Sequence, residues 1–324
     1  MELAPNSQPR VSVIVPTRDR TDLLRRCLLS LVRQDADPAC YEILVCDDGS
    51  AEAPAELIGE FQPGPPLLRL LSQKPLGPAA ARNLGIRSTN APLVIFLDSD
   101  VIPDKGLVQA LLKAMDAHPE WMGAEACLVP SGTEADPLWE APAAPNGGRY
   151  HTAAIAYRRE ALVAVGGFDE QFLLPACEDV ELAVRVLQLG LIGFVPDAKA
   201  FHPRRRVTWA SRWRQRRNWK YVTILAKRYA ILAFPDRKVG RFPRMRVALA
   251  AVLTLPSGRL REGIRYVRQC PAEGLIASVG AMFDVFCGVC TLPEILLSQI
   301  PARKSCVADG PTGRPLDSAP ERTS

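Results

Sequence analysis

The most informative stretch of this sequence for the fold is Pro92-Leu93-Val94-Ile95-Phe96-Leu97-Asp98-Ser99-Asp100. Its first six residues are apolar, include β-branched and aromatic side chains and contain no glycine, which predicts a buried parallel strand. Two carboxylates follow, and they point the same way if the chain stays extended. Such a pair repels itself unless a cation lies between its members. Mg²⁺ or Mn²⁺ would relieve the repulsion and commonly brings a phosphate with it. The alternative is a solvated turn after a strand.

The composition is that of a globular protein with a mildly basic surface. The chain has 324 residues, of which 48% are hydrophobic and 23% are charged, with a net charge of +5. That is enough for one large core, or for a core with an appendage. The nine cysteines include one Cys-x-x-Cys pair, 287–290, which we interpret as core because no second pair has zinc spacing. Their odd number fits a reducing compartment, so we expect a cytoplasmic protein.

The two ends of the chain predict no membrane span. Residues 1–10 are polar and contain no signal-peptide core. The longest apolar stretch, 275–292, is interrupted by Asp284, so it is a poor transmembrane candidate but suits an interfacial helix. Arginines beside apolar faces in residues 244–268 fit a peripheral contact with the inner face of the membrane. A solvated helical cap explains the same arginines.

Strand and helix signals alternate from residue 11 onward. This alternation predicts a mostly parallel sheet with helices on both faces. The first strand should stop at Pro16, and Thr21 or Asp22 should cap the helix after it. Residues 131–148 should form a long loop. The expected strands are 11–15, 41–46, 67–71, 93–97, 121–129, 191–195 and 198–202, and the expected helices are 21–34, 53–61, 79–88, 107–115, 178–189 and 208–234, with appended helices over 246–300.

Acidic residues follow two of the expected strands. Asp47-Asp48-Gly49-Ser50 follows one strand, and Asp98 and Asp100 follow another. Ligands bind at the carboxyl ends of the strands in such sheets, so four carboxylates gathered there are typical of a nucleotide–metal site. One acid of Asp47-Asp48 could accept a hydrogen bond from a base or a ribose. An ordinary turn is the alternative.

Three further positions carry candidate chemistry. Arg82, near the start of a helix, could bind a phosphate or be an ordinary surface arginine. Glu178-Asp179 opens a helix, where the dipole favours acids; Asp179 could instead be a general base, worth roughly 10² to 10⁴ in rate. His202 ends a short strand and could be a third metal ligand, although a lone histidine is more often structural.

A basic segment covers residues 204–228. Arginine and lysine side chains alternate there with Trp209, Trp213, Trp219 and Tyr221. This composition suits phosphate-rich partners, which are a nucleotide, an anionic lipid surface or a nucleic acid. The alternative is a helix that buries its aromatic side chains and leaves its arginines in solvent.

Together these residues resemble the family 2 glycosyltransferases over residues 9–235. The resemblance implies a GT-A fold and an enzyme that moves a sugar from a nucleotide-diphosphate sugar, uridine-linked, with inversion and with Mg²⁺ or Mn²⁺. Residues 1–8 would then be a flexible N-terminus, 236–303 a helical region and 304–324 a disordered tail. The motifs that carry the resemblance are Val13-Ile14-Val15-Pro16-Thr17, Asp47-Asp48-Gly49-Ser50, Ala81-Arg82-Asn83-Leu84-Gly85, Phe96-Leu97-Asp98-Ser99-Asp100, Val165-Gly166-Gly167-Phe168-Asp169-Glu170 and Glu178-Asp179-Val180-Glu181-Leu182.

The resemblance also implies a role for each candidate residue. Asp100 would hold the metal, with His202 as a further ligand, and Asp179 would be the catalytic base. Glu178, Gln215 and Trp219 would lie on the acceptor or diphosphate side. The donor-binding residues would be Pro16, Thr17 and Arg18 in the nucleotide pocket, Asp47 or Asp48 at the base, Arg82 at the base or phosphate, and Asp98 at the ribose or phosphate.

Two motifs depart from the family pattern. Arg18-Asp19 stands where an aromatic residue and an asparagine usually follow Pro-Thr. Processive members carry Gln-x-x-Arg-Trp, and this chain has Asn218 at the arginine position. No tandem transmembrane helices follow in the sequence. We therefore expect transfer of a single sugar to a carbohydrate or lipid-linked acceptor rather than polymer synthesis.

Two other functions stay open at this point. A nucleotidyltransferase on a similar sheet would consume a nucleoside triphosphate, but no glycine- and lysine-rich phosphate loop lies near Thr17. A non-catalytic binder of membranes or nucleic acid would use the basic segment and show salt-sensitive binding. It would leave the acids at 98, 100 and 179 unexplained, so we expect no nucleic-acid partner.

Overall fold

The computed structural model describes residues 8–61, 64–132 and 139–208, together with positions 210, 211, 218, 221, 224, 225, 228 and 229. The predictions for residues 1–7, for the helices and tail beyond 235, and for Gln215 and Trp219 lie outside the described residues. Most of the expected helix 208–234 does so too. Across the described ranges, no helix combines the length and the apolar character that a membrane span requires.

The first half of the domain alternates strands and helices as the sequence predicts. A short 3₁₀ turn, Pro38–Cys40, precedes the second strand. The elements are β1 (Val11–Thr17), α1 (Thr21–Leu31), β2 (Tyr41–Asp47), α2 (Ala55–Gly59), β3 (Leu67–Ser72), α3 (Pro78–Arg87), β4 (Leu93–Leu97), β5 (Ile102–Pro103) and α4 (Leu107–Ala117).

The second half contains the two longest of the described strands, β6 and β9, and one further helix pair. α5 follows directly on a strand, whereas α6 begins after an irregular connection. The elements are β6 (Trp121–Pro130), β7 (Trp139–Glu140), β8 (Ala154–Arg158), α5 (Arg159–Ala164), α6 (Glu178–Leu187), β9 (Leu191–His202) and β10 (Arg205–Arg206).

One eight-stranded sheet organises these elements, in the order β3-β2-β1-β4-β8-β6-β9-β5. Strands β3, β2, β1 and β4 are parallel neighbours, and β6 is parallel to β9. β8 runs antiparallel between β4 and β6, and β5 runs antiparallel to β9. β7 and β10 form a separate two-stranded sheet. The predicted mostly parallel sheet is therefore confirmed.

Hydrophobic cores cover both faces of the sheet because its strands alternate side chains between them. Val11, Val13 and Val15 of β1 belong to the core that includes the buried residues of α1 and α4. Ile14, between them in sequence, belongs to the other core, with Phe96 and the apolar residues of α3, α5 and α6. A sheet buried on both faces leaves its strand ends as the place where polar side chains can gather.

The first strand does not stop at Pro16, as the sequence predicted, but continues to Thr17. β4 pairs with β1 only from Val11 to Ile14, so the missing N–H of Pro16 lies beyond that ladder. On the other side, Pro16 and Thr17 stay in register with β2. The prediction failed because the proline lies where one neighbouring strand has already ended.

Helix α1 differs from its prediction at both ends. Arg20 is the N-cap and makes no side-chain capping hydrogen bond, whereas Thr21 and Asp22 were the predicted caps. The helix ends at Leu31 rather than at Gln34. The Gln34 amide instead donates to the carbonyl of Asp104 at 2.9 Å and accepts from the N–H of Val108 at 3.0 Å. Gln34 therefore connects the end of α1 to the start of α4.

The segment predicted as two short strands, 191–195 and 198–202, is the single strand β9. The pairing with β6 jumps from Val195 to Lys199 while β6 advances by one residue, so a bulge absorbs Pro196 and its neighbours. The segment predicted as one long loop, 131–148, contains β7, and its residues 133–138 lie outside the description.

Candidate active site

A cluster of possible metal ligands, two of them buried, lies at the carboxyl end of β4 and the end of β9. After Leu97 the chain turns instead of staying extended, and the turn brings Asp98 and Asp100 to His202. One ligand atom from each of the three lies within 4.8 Å of the others. Sequence analysis named all three residues, and the structure brings them together.

The protonation of His202 suits metal binding. Its Nδ1 lies 3.0 Å from the carbonyl oxygen of Pro203, so that nitrogen carries the proton. Its Nε2 faces Asp100, 3.7 Å from Oδ1. Burial lowers the pKa of His202 and keeps the imidazole neutral. Two carboxylates and one neutral imidazole form a ligand set that fits Mn²⁺ or Mg²⁺.

Two arginines also contact the buried carboxylate of Asp100. Nη1 of Arg20 lies 3.4 Å from Oδ2, and Nη2 of Arg205 contacts the same oxygen. Arg205 belongs to β10, which is paired with β7 outside the main sheet. Sequence analysis did not assign Arg20 or Arg205 to this carboxylate. In the structure the two guanidinium groups supply part of the positive charge that a divalent cation would bring to Asp100.

Arg82 connects the two parts of the site. Its guanidinium is 3% exposed and donates to Asp98 at 2.8 Å and to Glu178 at 3.0 Å. It also lies 5.6 Å from the centre of the Phe168 ring. Burial alone would lower the pKa of Arg82, but the charges of Asp98 and Glu178 raise it, so the guanidinium remains protonated. Sequence analysis placed Arg82 near the base or a phosphate, and that role stays a prediction.

Glu178 is the first residue of α6 and is almost completely buried. Burial raises its pKa to about 7, against the lowering effect of Arg82, and the charge of Asp179 adds to the increase. Its Oε2 has no hydrogen-bond partner among the described residues, whereas Oε1 accepts from Arg82. Glu178 can therefore exchange a proton close to neutral pH.

Asp179, the predicted base, is a partly exposed residue of the first turn of α6. Its Oδ1 accepts the N–H of Val180 at 2.8 Å, and its Oδ2 lies 3.2 Å from Nδ1 of His151. The side chains of Asp179 and His151 are 17% and 30% exposed. Sequence analysis missed His151 because it lies in an irregular segment without periodicity. One weak signal was available. His151 is one of only three histidines in the sequence, and it lies just before a buried strand.

The acids of the Asp47-Asp48 turn hold the neighbouring loops. Oδ1 of Asp47 accepts from the hydroxyl of Ser50 at 2.5 Å. Asp48 accepts from the side chain of Gln73 at 2.8 Å and from the N–H of Gly77 at 2.9 Å. Both side chains are buried. Their predicted contact with a base is not tested by these interactions.

The end of β1 lies beside this turn. Thr17 is buried, Pro16 is half-buried, and the exposed Arg18 lies 3.9 Å from Asp48. Asp19, which stands where the family has asparagine, adopts a left-handed φ of 51°. Its Oδ1 accepts the N–H of Ala51 at 2.8 Å. Aspartate tolerates this left-handed conformation. Although Asp19 departs from the family pattern, it therefore still links the loop after β1 to the loop after β2.

Two motifs that are distant in sequence meet at Asn83. Its amide nitrogen donates to the carbonyl of Phe168 at 2.9 Å, and its Oδ1 accepts the N–H of Phe168 at 2.8 Å. The same nitrogen donates to Glu170 at 2.9 Å. This buried amide fixes the glycine turn against α3 and so places Phe168 against Arg82.

Three of the described residues beyond 208 pack onto α6 and the turn before it. Tyr221 is buried and stacks on Phe172, with ring centroids 5.1 Å apart. The hydroxyl of Tyr229 donates to Glu181 at 2.8 Å, and Arg228 pairs with Asp169 and Glu181. Tyr221 and Arg228 of the basic segment, with Tyr229 directly after it, therefore belong to the domain rather than to a separate arm.

Part of the chain matches a known protein family. Residues 12–126 match the model of the family described as "Glycosyl transferase family 2". A probable glycosyltransferase of Bacillus subtilis, YdaM, is 27% identical over 252 residues, which are 70% of this chain and 57% of that protein. Residues 12–126 of this chain therefore match glycosyltransferase family 2.

Other relatives are larger than the matched region. The pre-mycofactocin glycosyltransferase of Mycobacterium tuberculosis is 30% identical over 211 residues, 60% of this chain and 43% of that protein. The O-antigen biosynthesis protein RfbC of Myxococcus xanthus is 30% identical over 211 residues, 56% of this chain and 16% of that protein. The chain thus spans between about one sixth and just over half the length of these three relatives.

Two solved structures share the fold. The mannosyltransferase PcManGT from Pyrobaculum calidifontis, in complex with GDP-Man and Mn²⁺, has a TM-score of 0.58 at 20% identity, covering 89% of this chain and 88% of that one. S. aureus TarS 1–349 in complex with UDP-GlcNAc has a TM-score of 0.52 at 18% identity, covering 83% and 89%. The predicted GT-A fold is confirmed by this likeness.

Proposed function

We propose that this chain transfers one sugar from a nucleotide-diphosphate sugar to an acceptor hydroxyl, with inversion at the anomeric carbon. The observation that carries the proposal is the arrangement of two clusters around Arg82. On one side are the possible metal ligands Asp98, Asp100 and His202. On the other are Glu178, which contacts Arg82, and Asp179, the next residue in the first turn of α6. An inverting transfer needs a charged leaving-group site and one base on the opposite face of the sugar.

The leaving-group side would hold the diphosphate. Asp100 and His202, with Asp98, would bind a divalent cation, and that cation would stabilise the negative charge of the departing diphosphate. Arg20 and Arg205 contribute positive charge at the same place. The family neighbour PcManGT was solved with Mn²⁺, which supports Mn²⁺ as the first cation to test.

The base side would activate the acceptor. Asp179 takes the proton from the acceptor hydroxyl as its oxygen forms a bond to the anomeric carbon. The bond between that carbon and the phosphate oxygen breaks, and its electron pair leaves with the nucleoside diphosphate. One carboxylate is sufficient because inversion proceeds in a single displacement. Such a base is worth roughly 10² to 10⁴ in rate.

The donor, acceptor and location are parts of the same proposal. We favour a uridine-linked donor and keep guanosine-linked donors in the test, because TarS and PcManGT were solved with UDP-GlcNAc and GDP-Man. A relative acts in O-antigen biosynthesis, which supports a carbohydrate or lipid-linked acceptor. The described cysteines, which are Cys27, Cys40, Cys46, Cys127 and Cys177, are free, in keeping with a cytoplasmic location. Peripheral contact with the inner membrane face remains part of the prediction.

A donor screen tests the proposal. The full chain is incubated with Mn²⁺ and UDP-glucose, UDP-GlcNAc or GDP-mannose, and release of the nucleoside diphosphate is measured. We expect release with at least one donor and at least a ~10²-fold lower turnover in Asp179→Asn, with donor affinity retained. Asp197→Asn, an exposed acid on β9, is the control and should leave turnover unchanged.

Three outcomes would contradict the proposal. Near-normal turnover of Asp179→Asn would exclude that residue as the base. Pyrophosphate release from a nucleoside triphosphate, without sugar transfer, would favour a nucleotidyltransferase. Binding to anionic vesicles or nucleic acid that is indifferent to Asp98, Asp100 and Asp179, without any donor turnover, would favour a non-catalytic binder.

A further inference from the structure

His151 is the polar side chain in contact with Asp179 that neither the family motifs nor the sequence analysis assigns. Its Nδ1 lies 3.2 Å from Oδ2 of Asp179, and both side chains keep some solvent access. Oδ1 of Asp179 is already occupied by the N–H of Val180 at 2.8 Å. The two contacts together fix the plane of the carboxylate.

The segment that carries His151 is anchored rather than loosely placed. Glu125, a buried residue of β6, accepts the N–H groups of Gly148 at 2.6 Å, Arg149 at 3.1 Å and Tyr150 at 2.7 Å. The carbonyl of His151 accepts the N–H of Ala154 at the start of β8, at 3.3 Å. A carboxylate that holds three consecutive N–H groups defines the path of the chain directly before His151. The contact with Asp179 is therefore built into the fold.

We propose that His151 is a positioning residue for Asp179, and that Asp179 works as the base only while His151 is neutral. This inference rests on the proposed function, in which Asp179 takes the proton of the acceptor. A neutral imidazole with its proton on Nδ1 donates one hydrogen bond and holds Oδ2 in place. An imidazolium forms an ion pair with the same oxygen, which favours the charged carboxylate and makes it a weaker base.

The surroundings of His151 determine where it changes charge. Burial alone would lower the pKa of His151, but the hydrogen bond and charge of Asp179, with Glu125, raise it above the ordinary value of 6.5, while Arg149 opposes them. The imidazole is then protonated as the pH falls through that raised value, and turnover should fall with it. The titratable or charged groups around the pair come from several elements. They are Glu178 on α6 and Cys177 directly before it, Arg82 on α3, Glu125 on β6, Tyr157 on β8, Arg149 on its own segment and His202 on β9.

The first arm of the test measures the contact without using activity. The histidine ring signals of the full chain are titrated by NMR and assigned with His118→Asn and His202→Asn. We expect the pKa of His151 to be lower in Asp179→Asn than in the wild type, because the variant loses the neighbouring negative charge. An unchanged pKa of His151 would overturn the proposal. This arm gives a result whether or not Asp179 proves to be the base.

The second arm measures kcat against pH with the donor identified by the screen. His151→Asn keeps an amide that can donate to Asp179 but cannot titrate, so we expect it to retain most of the turnover and to lose the acidic limb assigned to His151. His151→Ala should lose about 10- to 100-fold in kcat with little change in donor KM, since a misplaced base is slow. His118→Asn is the control, because His118 pairs with the exposed Glu120 and should leave the profile unchanged.

Glu178, the buried residue next to Asp179, has a pKa of about 7 and could also produce an acidic limb. The pH profile is therefore repeated in Glu178→Gln, where the limb assigned to His151 should persist.

The two arms distinguish failure of this inference from failure of the proposed function. Wild-type kcat and pH profile in His151→Ala would overturn the inference alone. Full turnover in Asp179→Asn would instead overturn the proposed base. If His151→Ala does not fold, the Asn variant and the NMR titration still decide.

Discussion

At the scale of single residues, Asp100 is a carboxylate with three positively charged or polar neighbours. Arg20 and Arg205 contact one of its oxygens, and His202 faces the other. A divalent cation at this carboxylate would meet guanidinium charge already in place. Cation binding is therefore a competition with an arginine rather than the filling of a bare acidic pocket.

This competition predicts that loss of Arg205 strengthens metal binding. Arg205→Gln should bind Mn²⁺ about tenfold more tightly than the wild type, a difference of about 1.4 kcal/mol, because no guanidinium has to leave Asp100. Isothermal calorimetry with Mn²⁺ measures it. Arg206→Gln removes the neighbouring charge on β10 and is the control. Equal affinity in the two variants, or weaker binding in Arg205→Gln, would show that Arg205 does not compete.

Glu178 predicts a pH dependence of stability. The carboxyl has an ordinary pKa of 4.5 in the unfolded chain and about 7 in the folded one. Between these values the folded state binds more protons, so the group makes the free energy of unfolding fall as the pH rises from about 4.5 to about 7. Each unit of pKa difference corresponds to about 1.4 kcal/mol.

Glu178→Gln should therefore flatten the stability profile in that range. Urea unfolding at several pH values measures the change. Glu52→Gln, at an exposed position, should keep the wild-type slope. An unaltered slope in Glu178→Gln would mean that the proton held by the folded state belongs to another group.

At the scale of elements, the sequence predicted most strands and the helix types from their apolar pattern alone. The bounds of β4 were predicted correctly, because a short apolar run followed by acids leaves little freedom. The end of β1 and the continuity of β9 were not predicted correctly. The first depends on the neighbouring strand β4 and the second on the neighbouring strand β6. Pro16 is tolerated where β4 has ended, and Pro196 is absorbed by a bulge against β6.

The same division applies to the candidate site. Residues directly after a strand or at a helix start, such as Asp98, Asp100 and Glu178, could be predicted because topology alone brings these ends together. His151, Arg20 and Arg205 could not. Their contacts depend on side-chain paths across irregular segments, which periodicity does not describe.

The glycine turn before Phe168 provides a test of element packing. Gly166 and Gly167 both have positive φ, 79° and 72°. A Cβ at Gly167 would lie 2.5 Å from Oδ1 of Asn83, whereas one at Gly166 would meet nothing within 4 Å. Both alanine variants carry the left-handed strain of about 1–2 kcal/mol. Gly167→Ala should lose about 1–3 kcal/mol more, because it pushes the Asn83 amide from its partners.

Thermal unfolding of the two alanine variants measures the difference. Because the glycines are adjacent and share their backbone conformation, the comparison isolates the contact with Asn83. Equal losses in the two variants would mean that α3 can shift away from the turn at little cost.

At the scale of the whole molecule, Arg82 joins the leaving-group side to the base side. Arg82→Lys keeps the charge but cannot bridge Asp98 and Glu178 with a planar guanidinium. We expect it to raise donor KM, to lower kcat and to lower the free energy of unfolding by about 1–3 kcal/mol, because a buried carboxylate loses its partner. Arg87→Lys is the control on the same helix, since its side chain is 62% exposed. Steady-state kinetics and urea unfolding measure both variants, and a change in donor KM alone would contradict the bridging role.

Because Arg82 contacts both Asp98 and Glu178, cation binding at Asp98 should change the protonation of Glu178. Asp98 and Glu178 attract the same positive charge, so a cation that draws Asp98 away leaves more of that charge for Glu178. The carboxyl would then become more acidic and lose its proton to the solvent at neutral pH. Loading the enzyme with donor and metal would thus acidify an unbuffered solution, and the heat of loading would vary with the ionisation enthalpy of the buffer.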